Sequence, residues 1–306
     1  MLTQAPRLYP SPLEAVKLAK AAATCPRSDS FRQAKESGKL RGNYSRAGTD
    51  FVVEQNWSAY TTDEHTLYKH LYQRQSRQVP KYACTQFLDS LTQLDAGGAI
   101  PLFNQISARL RRATRWELVA VPGLIPDDVF FKHLAKRRLP VTVWLRKPEE
   151  ADYIVEPDVF HDIFGHVPLL FDPVYADYLQ EYGIGGLKAL QLDALGFLAR
   201  LYWYSIEFGL IRAGENLRAY GAGLLSSSGE LAYSVDSKLP HRIRFDLIRI
   251  MRTEYNIDSY QANYFVIDSF EQLLRETRSD FTPLYAKLNM LPAIPPDAEV
   301  PGDVLV

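Results

Sequence analysis

The chain has 306 residues, 46% of them hydrophobic and 12% aromatic, enough for one large core or two smaller ones. Lysine plus arginine number 35 against 36 acidic residues, a formal net charge of −1, so nothing in the charge favours nucleic acid or a membrane surface as partner. Cys25 and Cys84 are the two cysteines, too few for a disulfide framework and compatible with a reducing cytoplasm, and no run approaches the ~20 apolar residues of a membrane span.

Residues 1–50 hold nine basic against four acidic residues and few large apolar ones. They read as a flexible N-terminal extension with one short helical run at Leu13–Thr24 and no apolar signal core. Helical spacing of apolar residues predicts amphipathic helices over 63–75 and 82–94. Asp127 and Asp128 start a further helix, and the basic run Lys132–Arg138 ends it, as the helix dipole favours. Residues 140–146 alternate as a strand, with Val141, Val143 and Leu145 on one face and Thr142, Trp144 and Arg146 on the other. A helix is expected from Asp158 to Gly165, and a longer one from Asp193, as cap, to Gly214. Ser269 and Gln272 form a possible capping box for a helix to about Arg278. The tail 289–306 has four prolines in eighteen residues and is expected to be irregular. There is no internal repeat. The expectation is a mostly helical α+β fold, with 1–50 as extension, 51–288 as catalytic domain and 289–306 as tail.

One stretch carries chemistry: Glu156-Pro-Asp-Val-Phe-His-Asp-Ile-Phe-Gly-His166, taken with Glu207. Two imidazoles and one carboxylate on a common face leave open positions on a metal. On a regular helix, residues five apart are about 140° apart, so His161 and His166 need a break between them. Gly165 is placed to end the helix and let His166 swing back. Glu207 lies among apolar residues, where an unpaired carboxylate is costly. The plainer alternatives are a hydrogen-bonded core histidine and a glutamate that meets a distant arginine. On spacing alone these stand level with the metal site, and zinc in a hydrolase remains open. Gly221-Ala-Gly223 opens like a dinucleotide fingerprint, but Ser226 fills the third glycine's place. Ser37-Gly38-Lys39 lacks the rest of a phosphate loop.

The run Glu156–Leu170 (EPDVFHDIFGHVPLL) resembles the iron-binding signature of the aromatic amino acid hydroxylases. Trp116–Pro126 (WELVAVPGLIP), Leu201–Leu210 (LYWYSIEFGL), Tyr220–Ser227 (YGAGLLSS) and Tyr264–Phe270 (YFVIDSF) follow the same family's order, over about residues 50–285. The resemblance implies that family's catalytic-domain fold, a helical basket with short β elements. It also implies Fe(II) held by His161, His166 and Glu207. It places a tetrahydrobiopterin or related tetrahydropterin against Phe130, the Gly123–Leu124 backbone and Asp162, where the family usually has Glu. Arg146, Asp158, Trp203, Phe208, Gly223 and Ser226 fall on substrate positions, and Tyr202 lies behind the metal. Ile257 fills a place that is apolar in phenylalanine-type members and acidic in tyrosine-type ones. The implied reaction hydroxylates L-phenylalanine to L-tyrosine with dioxygen; hydroxylation of tryptophan or tyrosine is the alternative within the family. A zinc hydrolase or a non-catalytic binding protein would be the alternatives outside it. Larger members carry an N-terminal regulatory domain and a C-terminal tetramerisation helix. Neither is expected here, which suggests a monomer or weak dimer.

Overall fold

The structure, a computed structural model, describes residues 30–152, 154, 156–278 and 280–306. The expected helical run Leu13–Thr24 lies outside the described residues. Among those described, no helix is long and apolar enough to cross a membrane.

The helices come first along the chain: α1 (Ser30–Glu36), α2 (Thr62–Tyr82), α3 (Thr85–Leu94) and α4 (Phe103–Ala113). A capping box starts α2, with Thr61 and Glu64 each accepting from the other's backbone N–H. Its buried face is Tyr68, Leu71, Gln75, Val79 and Tyr82, at three- and four-residue spacing. This helix outruns the expected 63–75, because Pro80 falls in its last turn, where a proline disrupts least. The next helix starts at Thr85 rather than Tyr82. Ala83 and Cys84 are extended, and the Cys84 amide donates to Ala219 O at 3.0 Å, which stitches the link to a strand.

A β–α–β unit follows. Strand β1 (Glu117–Val121) pairs in parallel with β2 (Arg138–Thr142), and α5 (Asp127–Ala135) crosses between them. Asp127 and Asp128 lie in the first turn of α5 and Lys132 and His133 in its last, the polarity read from the sequence. The expected strand 140–146 is corrected. Pairing begins at Arg138 and ends at Thr142, opposite Val121, where β1 also ends. Arg146 therefore lies in the following loop, 4% exposed.

The remaining helices are α6 (Pro173–Gln191), α7 (Leu195–Tyr202), α8 (Ala222–Ser226), α9 (Glu230–Asp236), α10 (Leu247–Arg252), α11 (Phe270–Thr277) and α12 (Thr282–Leu288). A four-stranded sheet has the order β4 (Asn216–Ala219), β3 (Leu210–Ala213), β6 (Asn263–Ile267), β5 (His241–Arg244); only the β3–β4 pair is antiparallel. The expected helix 193–214 is thus three pieces: α7, a π-helical turn at Trp203–Glu207, and β3. Asp193 is not its cap but has φ +50°, and Gly214, at φ +64°, turns a hairpin rather than ending a helix. Leu210 and Ile211 are apolar positions that suit either periodicity, so the spacing could not separate helix from strand. At α11 the capping box is displaced by one residue. Ser269 Oγ accepts from the Gln272 amide, but Gln272 Oε1 accepts from Asp268 rather than Ser269.

The C-terminal tail and the segment from Phe31 to Asp50 are fastened to this body. The tail forms no helix, but Leu305 bridges to Ile243 and Ile294 to Thr253. Arg249, 6% exposed, binds Asp303 at 2.9 Å. Residues 31–50, expected to be part of a flexible extension, are packed instead. Phe31 meets Tyr44 and Phe51, Arg41 pairs with Glu150 at 2.8 Å, and its guanidinium lies 4.1 Å above the Trp144 ring. The aromatic rings of Phe31 and Tyr44 anchor this segment together with the Arg41 ion pair.

Candidate active site

Asp158 starts the helix that carries both histidines: its Oδ1 accepts from the His161 amide at 3.0 Å. From His161 to His166 the helix widens into a π turn, and the Val167 amide bonds Asp162 O, five residues back, at 3.3 Å. This extra residue per turn solves the spacing problem. The two Nε2 atoms stand 3.1 Å apart, although residues five apart diverge on a regular helix. The expectation that Gly165 ends the helix is corrected, since the chain runs on helically through Val167 into a 3₁₀ turn at Pro168–Phe171. Gly165 is needed for a different reason. A Cβ there would lie 2.8 Å from Ala222 O, so only glycine lets α8 cross this close. That crossing brings Ser226, the last residue of α8, to His161, with Oγ 2.9 Å from Nδ1.

A second π turn places Glu207. The Phe208 amide bonds Trp203 O at 2.9 Å, again five residues back. Glu207 is 3% exposed, with Oε2 3.6 Å from His161 Nε2 and Oε1 3.5 Å from His166 Nε2. Gly223 faces this carboxylate; a Cβ there would be 3.2 Å from Oε2 and 3.0 Å from Glu207 O. Donors about 2.1 Å from one ion and at right angles stand roughly 3.0 Å apart, so the three groups fit a metal with little adjustment. Asp162 is a competing carboxylate. With His161 and His166 it forms a buried cluster whose ligand atoms lie within 4.8 Å of one another. However, Asp162 Oδ2 accepts from the Thr142 amide at 2.8 Å, and Glu207 approaches both imidazoles more closely. Geometry therefore favours Glu207 as third donor.

The electrostatics suit a cation. Burial pushes His161 down to about 4, so its imidazole is neutral near pH 7 and has a lone pair to offer. With Nε2 as donor atom, the ring proton sits on Nδ1 and is directed at Ser226. Burial pushes Asp162 up to about 7. Burial also works to raise Asp158, but the Arg146 guanidinium outweighs it and holds this carboxyl below its usual range.

A cleft opens beside these donors at the carboxyl ends of β1 and β2, the usual ligand position next to parallel strands. Gly123, Leu124, Phe130, Asp162 and Tyr202 line it together with His161, His166 and Glu207. Phe130 is half-buried, with its ring 6.1 Å from that of Tyr202, which in turn is 6.4 Å from His166. The cleft thus offers aromatic rings, a loop backbone and a carboxyl, which suits a flat, polar heterocycle.

The residues expected to bind substrate divide differently. Asp158 Oδ1 and Oδ2 accept from Arg146 Nη2 and Nε at 2.8 Å each, and Asp158 also caps the ligand helix. Asp158 therefore orients Arg146 and caps the ligand helix at once. Trp203 and Phe208 sit together, with ring centroids 4.6 Å apart. Ser226 and Gly223 are placed otherwise than expected, since they contact His161 and Glu207, the metal-side donors, rather than an open pocket.

Two supporting residues had no reading in the sequence. Tyr44 donates its hydroxyl to Leu124 O at 2.9 Å, and Glu156 is half-buried beside the amides of Leu124 and Arg41. Both hold the loop of the cleft. Tyr44 lies in the segment set aside as extension, where only its aromatic character, among small and polar neighbours, was a signal. Tyr44→Phe should loosen that loop. The Michaelis constant of the cofactor in the cleft should rise severalfold, since one hydrogen bond is worth about 0.5–1.5 kcal/mol net, with the amino-acid constant unchanged. Steady-state titration of each substrate checks this.

A family model described as biopterin-dependent aromatic amino acid hydroxylase matches residues 35–289. The chain is 54% identical over 258 residues to the phenylalanine-4-hydroxylase of Ralstonia nicotianae, covering 84% of this chain and 82% of that one. It is also 54% identical over 245 residues to that of Chromobacterium violaceum, covering 80% and 82%. Among solved structures, the phenylalanine hydroxylase of Chromobacterium violaceum bound to cobalt superposes with a TM-score of 0.83 at 48% identity, covering 93% of this chain and all of that one.

Proposed function

The chain belongs to the biopterin-dependent aromatic amino acid hydroxylases, and on that premise we propose that it converts L-phenylalanine to L-tyrosine with dioxygen and a tetrahydropterin. It is a pterin-dependent non-haem iron monooxygenase. The observation that carries the reading is the approach of His161 Nε2, His166 Nε2 and Glu207 to within 3.6 Å of one another in one buried cluster. Their types fit Fe(II), and neither cysteine lies in these motifs.

Fe(II) and the reduced pterin, when bound, supply the activation of dioxygen. The protein's own residues do the rest. His161 and His166 offer ring nitrogens to the metal, and Ser226 holds the first ring in orientation. Glu207 contributes the single negative charge of the donor set. Phe130 and the Gly123–Leu124 backbone hold the pterin, with Asp162 beside it. Trp203 and Phe208 wall the phenylalanine ring. Arg146 binds the substrate carboxylate through the guanidinium edge that Asp158 does not occupy. Burial of these groups keeps water from the reacting atoms. We take the catalytic unit to include residues 31–50, to end near Leu288 and to be held by the tail. We place the enzyme in the cytoplasm as a monomer or weak dimer, in keeping with its buried free Cys84.

The test is product analysis of the iron-loaded enzyme with tetrahydropterin and each of phenylalanine, tyrosine and tryptophan. Tyrosine from phenylalanine should dominate; a main product from either other amino acid would reassign the substrate.

Arg146 makes a further expectation specific. Arg146→Ala would strand Asp158, which is fully buried, and should cost about 3–5 kcal/mol of stability. Arg146→Lys keeps the charge but not the fork. It should fold and raise the Michaelis constant for phenylalanine about tenfold, from loss of a charge-assisted bond worth roughly 1.5–3 kcal/mol, while that for pterin stays put. Equal effects on both constants in a folded variant would remove Arg146 from the substrate site.

A further inference from the structure

Trp203 opens the π turn that ends in Glu207, and its indole is held from three sides. It stacks on Tyr255 at 4.4 Å and 14° and lies 4.6 Å from Phe208. Its Nε1–H donates to Gln261 Oε1 at 2.9 Å. Gln261 is 4% exposed. Its side-chain amide donates to Asn256 O at 3.2 Å and Ser259 O at 3.1 Å. One side chain therefore joins the indole to the irregular loop 255–260 that carries the stacked Tyr255. The amide orientation has no alternative, since a flip would set NH₂ against the indole N–H and a carbonyl against two carbonyls.

Gln261 is anchored in turn. Its backbone N–H donates to Glu230 Oε1 at 2.9 Å, and the same oxygen accepts from Tyr264 OH at 2.7 Å. Glu230 begins α9 and its amide donates to Ser227 Oγ at 3.1 Å, one residue beyond the Ser226 that orients His161. The clamp is thus built on the same frame as the metal donors. A buried amide with every bond made cannot move without leaving polar groups unsatisfied, so the wall it fixes resists displacement.

We propose that Gln261 is a specificity-determining positioning residue. By locking the Trp203 indole to the 255–260 loop, it fixes one wall of the substrate-ring site and so favours phenylalanine over the bicyclic tryptophan. The proposal rests on the hydroxylase reading given above. It assigns Gln261 no contact with substrate; it acts through Trp203.

Gln261→Met is of similar length and removes all three side-chain bonds. In the iron-loaded enzyme, the ratio of kcat/KM for tryptophan to that for phenylalanine should rise about tenfold. KM for phenylalanine should rise more than kcat falls. Backbone amides of 254–262 should exchange with deuterium about tenfold faster, while those of 161–167 keep the wild-type rate. Gln261→Glu, which accepts from the indole but cannot donate to the loop, should fall between. A folded Gln261→Met with a wild-type ratio and wild-type exchange overturns the proposal. If that variant does not fold, Trp203→Phe decides. It keeps a ring but breaks the clamp, so the ratio must rise; an unchanged ratio overturns the proposal. Wild-type tyrosine formation, measured alongside, tests the hydroxylase reading separately from the clamp.

Discussion

His161→Ala and His166→Ala are each expected to abolish retained iron and tyrosine formation. Each leaves two protein donors where three converge within 3.6 Å. Loss of a hydrogen bond behind a ligand commonly costs 10–100-fold in metal affinity, so loss of the ligand itself should cost more than about 100-fold. Ser226→Ala supplies the graded comparison. It removes only the partner of His161 Nδ1 and should weaken iron binding within that smaller range. Both histidine variants should still fold, because each removes a single buried ring from a helix whose cap at Asp158 stays intact. Metal analysis of the purified proteins, beside circular dichroism, gives the answer. Full iron occupancy in either variant would refute the ligand assignment.

Glu207→Gln is expected to separate the holo from the apo protein. The carboxylate is 3% exposed, with its two oxygens 3.6 and 3.5 Å from the Nε2 atoms of His161 and His166. Burial holds His161 neutral, so that imidazole brings no positive charge to the carboxylate. The substitution keeps the shape and removes the charge. Metal-free melting temperature should match or exceed that of the wild type. Added Fe(II) should stabilise the variant less, since stabilisation follows ligand affinity, and turnover should collapse. Asp162→Asn runs beside it as the competing third ligand. It should retain iron, because Asp162 is engaged by the Thr142 amide. Iron loss in Asp162→Asn with retention in Glu207→Gln would move the third ligand to Asp162.

The candidate donors were legible in the sequence as residue types, and the way they meet was not. His161, His166 and Glu207 stood out as types in an apolar setting. What brings them together is two π-helical turns, and a π turn has no residue signature of its own. Its neighbours are non-local: Ser226 bonds His161 Nδ1, and Ala222 lies against Gly165. Gly165 was correctly singled out but for the wrong physical reason, because a glycine needed for close approach and one needed for a left-handed turn look identical in one dimension. The helix over 193–214 was overextended because Leu210 and Ile211 satisfy both a helical and a strand spacing; the pairing of Leu210 with Ala219 and Val266 decides it, and that information is non-local. The helix dipole of 127–135 and the cap at Asp158 were readable because both are local. The roles of Tyr44 and Gln261 were invisible for the opposite reason, since each acts on a partner far away in the chain, Tyr44 on Leu124 and Gln261 on Trp203.

The central claim is that this chain inserts one atom of dioxygen into the ring of phenylalanine. The most direct measurement is mass analysis of the tyrosine formed by the Fe(II)-loaded enzyme from phenylalanine and a tetrahydropterin under ¹⁸O₂ in unlabelled water. The phenolic oxygen should carry the label, and chelation of iron should stop its formation. Unlabelled tyrosine, or equal tyrosine from the chelated protein, would contradict the account.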